Sequence, residues 1–207
     1  MNVRQALSRL ESYSEELRLD LSRPEDRFKW FLASILFAKR ISAKIAKKTY
    51  ACFEQEELTS PDAILDAGWN HLVEVLDSGG YARYDFSTAT NLLEIVRTLK
   101  ENYGNLEKLH EESSNPADLE SRLKEFRGVG HVGVNIFLRE LRGIWEKAKP
   151  KPSQMAITTA KKIGLDVKDV ERFESQLVRL DLEYCKKHRS EECPLENDCP
   201  DMRTPTK

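Results

Sequence analysis

The stretch DLESRLKEFRGVGHVGVNIFLRELRGIW, residues 118–145, carries two apolar helical stripes separated by a glycine-rich turn. The first stripe ends at Phe126, the second begins at Val134, and Gly128-Val129-Gly130 lies between them. Apolar residues at this spacing predict helices, and the two glycines allow the backbone to adopt positive φ. We therefore expect a helix, a tight turn and a second helix, with Val129 packed in the groove between the helices.

This turn offers backbone amides to an anion. We expect the amides of Gly128, Gly130 and His131 to point outward at the N-terminus of the second helix, whose first turn also contains Gly133. The helix dipole favours negative charge at that end, so the turn suits a DNA phosphate. A glycine-capped helical hairpin that binds no ligand fits the same spacing equally well.

The segment FRGVGHVGVNIFL resembles the helix-hairpin-helix of the endonuclease III superfamily of DNA glycosylases, which reads roughly Leu-Pro-Gly-Val-Gly-x-Lys-Thr-Ala-Asn-Val-Val-Leu. In that family the hairpin grips the phosphate backbone of double-stranded DNA beside the damaged nucleotide. The resemblance implies an all-α fold with two helical domains and a cleft between them. By this resemblance residues 22–139 form one domain, and residues 1–21 with 140–207 form the other.

Composition agrees with a helical protein that does not enter a membrane. The chain has 207 residues, 40% hydrophobic and 33% charged, and no alternating β pattern appears between Met1 and Trp145. The most apolar window, Trp30–Ala38, is too short to span a bilayer and is followed by Lys39-Arg40. No secretory signal is visible, so we expect a cytoplasmic protein.

The net charge of −2 hides two basic stretches. Residues 37–48 contain five Lys or Arg and no acid, and residues 142–162 contain six against Glu146 alone. Beside an anion-binding hairpin such stretches favour contact with DNA, although plain solvated faces have the same composition. The resemblance places Lys39, with Arg40 beside it, where the family pushes a polar side chain into the duplex. An exposed lysine at a helix end is the alternative.

Three cysteines and a histidine crowd the C-terminal tail, YCKKHRSEECPLENDCP. In a cytoplasmic chain such clustering favours a metal over disulfides. The tail resembles the family's iron–sulfur loop, Cys-x6-Cys-x2-Cys-x5-Cys, with Cys193 and Cys199 as the last two ligands, but Ser190 takes the place of the second. Cys185, His188, Cys193 and Cys199 could instead hold zinc. A residual cluster, a zinc site and a metal-free loop all remain open.

Both catalytic groups implied by the resemblance are replaced in this chain. The family's Schiff-base lysine corresponds to Val132, which has no nucleophile, and its catalytic aspartate corresponds to Ser153. A serine cannot supply the electrostatic stabilisation of a carboxylate, and no acid lies between Lys147 and Leu165. We therefore expect both positions to be catalytically inactive unless Asp166 or a distant carboxylate takes over.

Three functions are compatible with this pattern. The first is an altered or inactive member of the superfamily that binds DNA at damaged or distorted sites. The second is a monofunctional glycosylase with a relocated acid or a labile substrate. The third is a helical scaffold for protein interactions that no longer binds DNA.

Overall fold

A computed structural model describes residues 3–196 and residue 199. All regular structure in this part of the chain is helical and no strand occurs in it, which confirms the all-α prediction. The α-helices are α1 Val3–Leu7, α2 Tyr13–Glu16, α3 Pro24–Phe37, α4 Ala43–Gln55, α5 Pro61–Ser78, α6 Asp85–Asn102, α7 Leu106–Glu112, α8 Pro116–Glu125, α9 His131–Arg139, α10 Gln154–Lys162 and α11 Glu174–Leu180. A π-helical segment, Asp181–Cys185, and two short 3-10 turns, Val167–Asp169 and Ser190–Glu192, follow α10 and α11.

The chain forms two compact units. The central unit is Leu19–Pro150, and the terminal unit combines the described residues up to Arg18 with those from Lys151 onward. The expected boundaries were after residues 21 and 139, so residues 140–150 lie in the central unit rather than with the termini. The reason is Trp145, which is 5% exposed, stacks on His110 and meets Phe137 edge to face, all within the central unit.

Helix α3 is the buried centre of the central unit. Pro24 occupies its first turn, where a missing amide costs nothing, and Glu25 and Asp26 face the positive end of the dipole. The indole Nε1 of Trp30, a fully buried residue, donates to the carbonyl oxygen of Phe137 at 3.2 Å. This hydrogen bond joins α3 directly to α9.

The turn between α5 and α6 is tied to the end of α3. Tyr81 is fully buried, and its hydroxyl donates to the carbonyl oxygen of Leu36 at 2.9 Å. Helix α5 is broken at Gly68, whose φ of 70° and ψ of 176° are not helical. The ends of α3 and α5 and the start of α6 therefore lie on one side of the central unit.

The terminal unit has its own apolar core, to which α1, α10 and α11 contribute residues such as Leu7, Ala160 and Leu177. Arg179 joins its N- and C-terminal parts, because it donates to the carbonyl oxygen of Glu11 at 2.7 Å and pairs with Glu16 at 3.1 Å. The two separate stretches of chain are thus held in one unit by both apolar and polar contacts.

Among the helices of the described residues, none is long and apolar enough to cross a membrane.

Candidate nucleic-acid interface

The two helices predicted on either side of the glycines are α8 and α9, and the two glycines of the turn between them have different roles. Gly128 has a φ of +76°, the left-handed region that favours glycine. Gly130 has φ −98° and ψ −175°, an extended conformation open to any residue, and it is the N-cap of α9. The expectation of positive φ at both glycines is therefore wrong for Gly130, because the chain reverses at Gly128, two residues after the C-cap of α8.

Helix α6 packs against the turn between α8 and α9. A Cβ atom placed on Gly128 would lie 2.2 Å from Nδ2 of Asn91, so this amide fills the space that a side chain would need. On the other side Val129 is 5% exposed, and its Cγ1 lies 3.8 Å from the Cβ position of Gly133. Glycine at 128 is thus required twice, by backbone conformation and by close approach of α6.

The N-terminus of α9 has no side-chain cap. Gly130 supplies none, and a Cβ atom added there would meet nothing within 4 Å. His131 and Val132 are exposed, and within the described residues their backbone amides donate no hydrogen bond. Free amides at the positive end of a helix dipole can receive an anionic oxygen. The open space over Gly130 lets such a group approach.

Two cations lie next to this helix end. A Cβ atom on Gly133 would be 3.5 Å from Cβ of Ala38, so the first turn of α9 packs against the residue that precedes Lys39 and Arg40. Lys39 is half-buried and Arg40 is exposed. In the part of the chain that the structure describes, neither side chain forms an ion pair or a hydrogen bond. The structure thus brings residues from distant parts of the sequence to one place.

The second basic stretch is partly used within the fold. The Nζ atom of Lys147 donates to the carbonyl oxygens of His110 and Glu111, at 2.7 and 3.1 Å, and so caps the C-terminus of α7. Arg142 donates to the carbonyl oxygen of Pro150 at 2.7 Å. These two side chains hold the segment that follows α9, a structural role that their charge pattern did not indicate.

Arg127 carries a further positive charge in the turn between α8 and α9. It directly precedes Gly128, and its Nη1 atom pairs with Oε1 of Glu94 on α6. Both side chains are partly exposed, 58% for Arg127 and 39% for Glu94. Sequence analysis did not single out this residue, which takes the place of the proline in the resembled motif.

The two positions of the expected catalytic groups lie in different units. Val132, in the central unit, is 60% exposed in the first turn of α9, so its aliphatic side chain faces solvent. Ser153, in the terminal unit, is the N-cap of α10 and its hydroxyl accepts from the amide of Ala156 at 3.3 Å. Neither side chain offers an amine or a carboxylate.

A carboxylate that sequence analysis missed is bonded to Ser153. Oε1 of Glu174, the first residue of α11, accepts from the backbone amide of Ser153 at 2.8 Å, and Glu174 is only 1% exposed. Asp166 instead follows the other end of α10, where it caps a short turn and pairs with Lys168 at 3.0 Å. Lys168 also lowers the pKa of Asp166. Of the two acids, Glu174 is the one held at Ser153.

The cysteines of the tail pack against the core of the terminal unit. Cys185, Cys193 and Cys199 are all partly buried there, and burial raises the pKa of the Cys185 and Cys193 thiols. His188 is exposed and has a φ of +52°. The described residues contain no arrangement of three or more His, Cys, Asp or Glu side chains that could hold a metal ion. Three thiols and an imidazole are nevertheless a donor set that suits tetrahedral zinc.

No protein-family model matches this chain, and a search of curated proteins finds no match.

Proposed function

We propose that this protein binds double-stranded DNA through the N-terminus of α9 and the neighbouring Lys39 and Arg40, as a member of the endonuclease III superfamily that lacks the usual catalytic groups. The observation that carries the proposal is the combination of uncapped amides with two cations that have no partner among the described residues. Amides and a helix dipole position one phosphate, while Lys and Arg side chains attract its neighbours.

The charge contribution is tested by fluorescence anisotropy on a labelled duplex at several salt concentrations. We expect wild-type affinity to fall steeply with salt, and the slope of log K against log salt to lessen by about 0.9 for each phosphate that a variant no longer binds. The double variant Lys39→Ala/Arg40→Ala should therefore show a shallower slope. Lys100→Ala/Lys108→Ala removes the same charge from exposed positions at the end of α6 and on α7, and should retain the wild-type slope.

The contribution of the helix N-terminus is tested at Gly130. Asp and Asn are both good N-caps, so Gly130→Asp and Gly130→Asn should fold at least as stably as the wild type. Only Gly130→Asp adds a negative charge where the phosphate would lie, and we expect it to bind DNA at least tenfold more weakly than Gly130→Asn. Equal binding by the two variants would contradict a phosphate site at this helix end.

Preference for distorted DNA is a separate part of the proposal. The resemblance puts Lys39 where the family inserts a polar side chain, so Lys39→Ala should reduce the ratio of affinities for a mismatched and a fully paired duplex. Arg40→Ala, which removes the adjacent charge, should weaken binding to both duplexes equally. If micromolar wild-type protein binds neither duplex at low salt, the interaction scaffold becomes the better function.

A monofunctional glycosylase is the second candidate, and the position of Glu174 favours it. A carboxylate bonded at Ser153 could supply the negative charge that this position lacks. The test is a panel of duplexes with different lesions, assayed for base release by wild type, Glu174→Gln and Asp166→Asn. Loss of excision in Glu174→Gln but not in Asp166→Asn would support this function, and no excision of any lesion by the wild type would reject it.

A further inference from the structure

Arg127 is the charged side chain closest in sequence to the open amides of α9, and its charge is already paired with Glu94. On the basis of the DNA-binding function proposed above, we infer that Arg127 binds a DNA phosphate and that its ion pair with Glu94 competes with this contact. Glu94 thereby limits the affinity for DNA. Binding would exchange the carboxylate of Glu94 for a phosphate oxygen.

The geometry of α6 supports this exchange. Glu94 lies about one helical turn after Asn91, so both side chains emerge on the same face of α6. Asn91 packs against the turn at Gly128, and Glu94 forms an ion pair with Arg127, the residue just before Gly128. Helix α6 therefore fixes both the backbone of the hairpin turn and the direction of the arginine that precedes it. Before DNA binds, the side chain of Arg127 is therefore held in a defined position beside the N-terminus of α9.

The strength of the ion pair makes the exchange feasible. Exposed ion pairs are weak because water screens them, and both partners here are partly exposed. Only Nη1 of Arg127 contacts Glu94, and the remaining guanidinium donors have no partner within the described residues. A phosphate can accept two of these donors at once, which a guanidinium favours over a single bond. Glu94 would then be left beside a phosphate and would oppose binding.

Removal of the Glu94 charge provides a direct test. Glu94→Gln should bind duplex DNA about three- to tenfold more tightly than wild type at low salt, and the gain should shrink as salt screens the charges. Glu101→Gln is the matched control, because Glu101 is an exposed carboxylate near the end of the same helix. It should change affinity much less. A purely structural role for Glu94 would lower affinity or leave it unchanged.

The double variant Glu94→Gln/Arg127→Ala decides whether the effect passes through Arg127. We expect Arg127→Ala to bind more weakly than wild type, and the Glu94→Gln gain to vanish in its background. A gain that persists there would reflect general repulsion of DNA by Glu94 and would overturn the inference, as would no gain in Glu94→Gln alone. Thermal melts verify that all variants fold.

These results are distinguishable from failure of the proposed function. If wild type and Gly130→Asp bind DNA equally, or if neither binds, the hairpin is not a DNA site and the role of Arg127 falls with it. If Gly130→Asp no longer binds while Glu94→Gln binds no more tightly than wild type, the DNA site stands and only the inference about Glu94 is wrong.

Discussion

Replacing Gly128 with alanine should destabilise the central unit by an amount that can be built from two separate costs. A non-glycine residue at a φ of +76° costs about 1–2 kcal/mol, because its Cβ crowds the backbone. The new Cβ would also lie 2.2 Å from Nδ2 and 2.8 Å from Cγ of Asn91, so that side chain must leave its rotamer at a cost of about 0.5–1.5 kcal/mol. The two costs add to a destabilisation of about 1.5–3.5 kcal/mol.

Urea unfolding followed by tryptophan fluorescence measures this destabilisation selectively, since Trp30, Trp69 and Trp145 all lie in the central unit. In an Asn91→Ala background the steric cost disappears, so Gly128→Ala should then cost only the backbone contribution of about 1–2 kcal/mol. Gly130→Ala is the matched control and should cost less than about 1 kcal/mol, because its φ is ordinary and its Cβ has open space. Equal destabilisation at Gly128 and Gly130 would refute this reasoning.

The other predictions concern a histidine, the tail and the chemistry. Burial and the nearby Lys147 lower the pKa of His110, whose ring stacks on Trp145 at 4.6 Å. The contribution of His110 to stability should therefore be complete above about pH 6.5 and decline as pH falls toward the lower pKa of the folded state. Urea midpoints should depend less on pH in His110→Gln than in wild type, and an unchanged pH dependence would argue against this role. If the tail binds zinc or an iron–sulfur cluster, elemental analysis should find metal that is absent from Cys185→Ser, and a chelator should expose residues after Tyr184 to protease without unfolding the core. Metal-free full-length protein with unchanged protease resistance would exclude this. Because Val132 replaces the amine, borohydride should trap no protein–DNA adduct at an abasic site, and a trapped adduct would show that another lysine reaches the sugar.

The two helices and the turn between them could be predicted from the sequence, but the difference between the two glycines of the turn could not. Apolar spacing on both sides of Gly128-Val129-Gly130 indicated two helices and a turn, and the structure has them at α8 and α9. The sequence alone gives no reason to expect different backbone conformations at Gly128 and Gly130. Their conformations differ because Gly128 follows the end of one helix, where the chain reverses, whereas Gly130 begins the next helix with an extended backbone. The distinction depends on where each helix stops, which periodicity locates only within a few residues.

Charge patterns in the sequence identified the basic stretches, but they did not show which Lys and Arg side chains are available to contact DNA. Lys39 and Lys147 both belong to stretches with few acids, yet Lys147 is bonded to two carbonyl oxygens at the end of α7. Those oxygens belong to residues 37 and 36 positions earlier in the chain, so no local pattern could have revealed the contact. Lys39 follows the end of α3, and among the described residues its side chain forms no ion pair and no hydrogen bond. Availability for DNA is therefore a property of tertiary packing.

Glu174 illustrates the same limit for catalysis. In the sequence it is an acid in the first turn of a helix, which is an ordinary way to satisfy a helix dipole. Its burial sets it apart, because a carboxylate is rarely withdrawn from water unless it is paired or hydrogen-bonded. The bond to the Ser153 amide supplies one such partner, so Glu174 has a structural reason to be where it is. Glutamine can accept the same hydrogen bond without a charge, and Glu174→Gln should therefore keep the fold of the terminal unit. Any excision activity that disappears in that variant must then depend on the negative charge rather than on the position of Ser153.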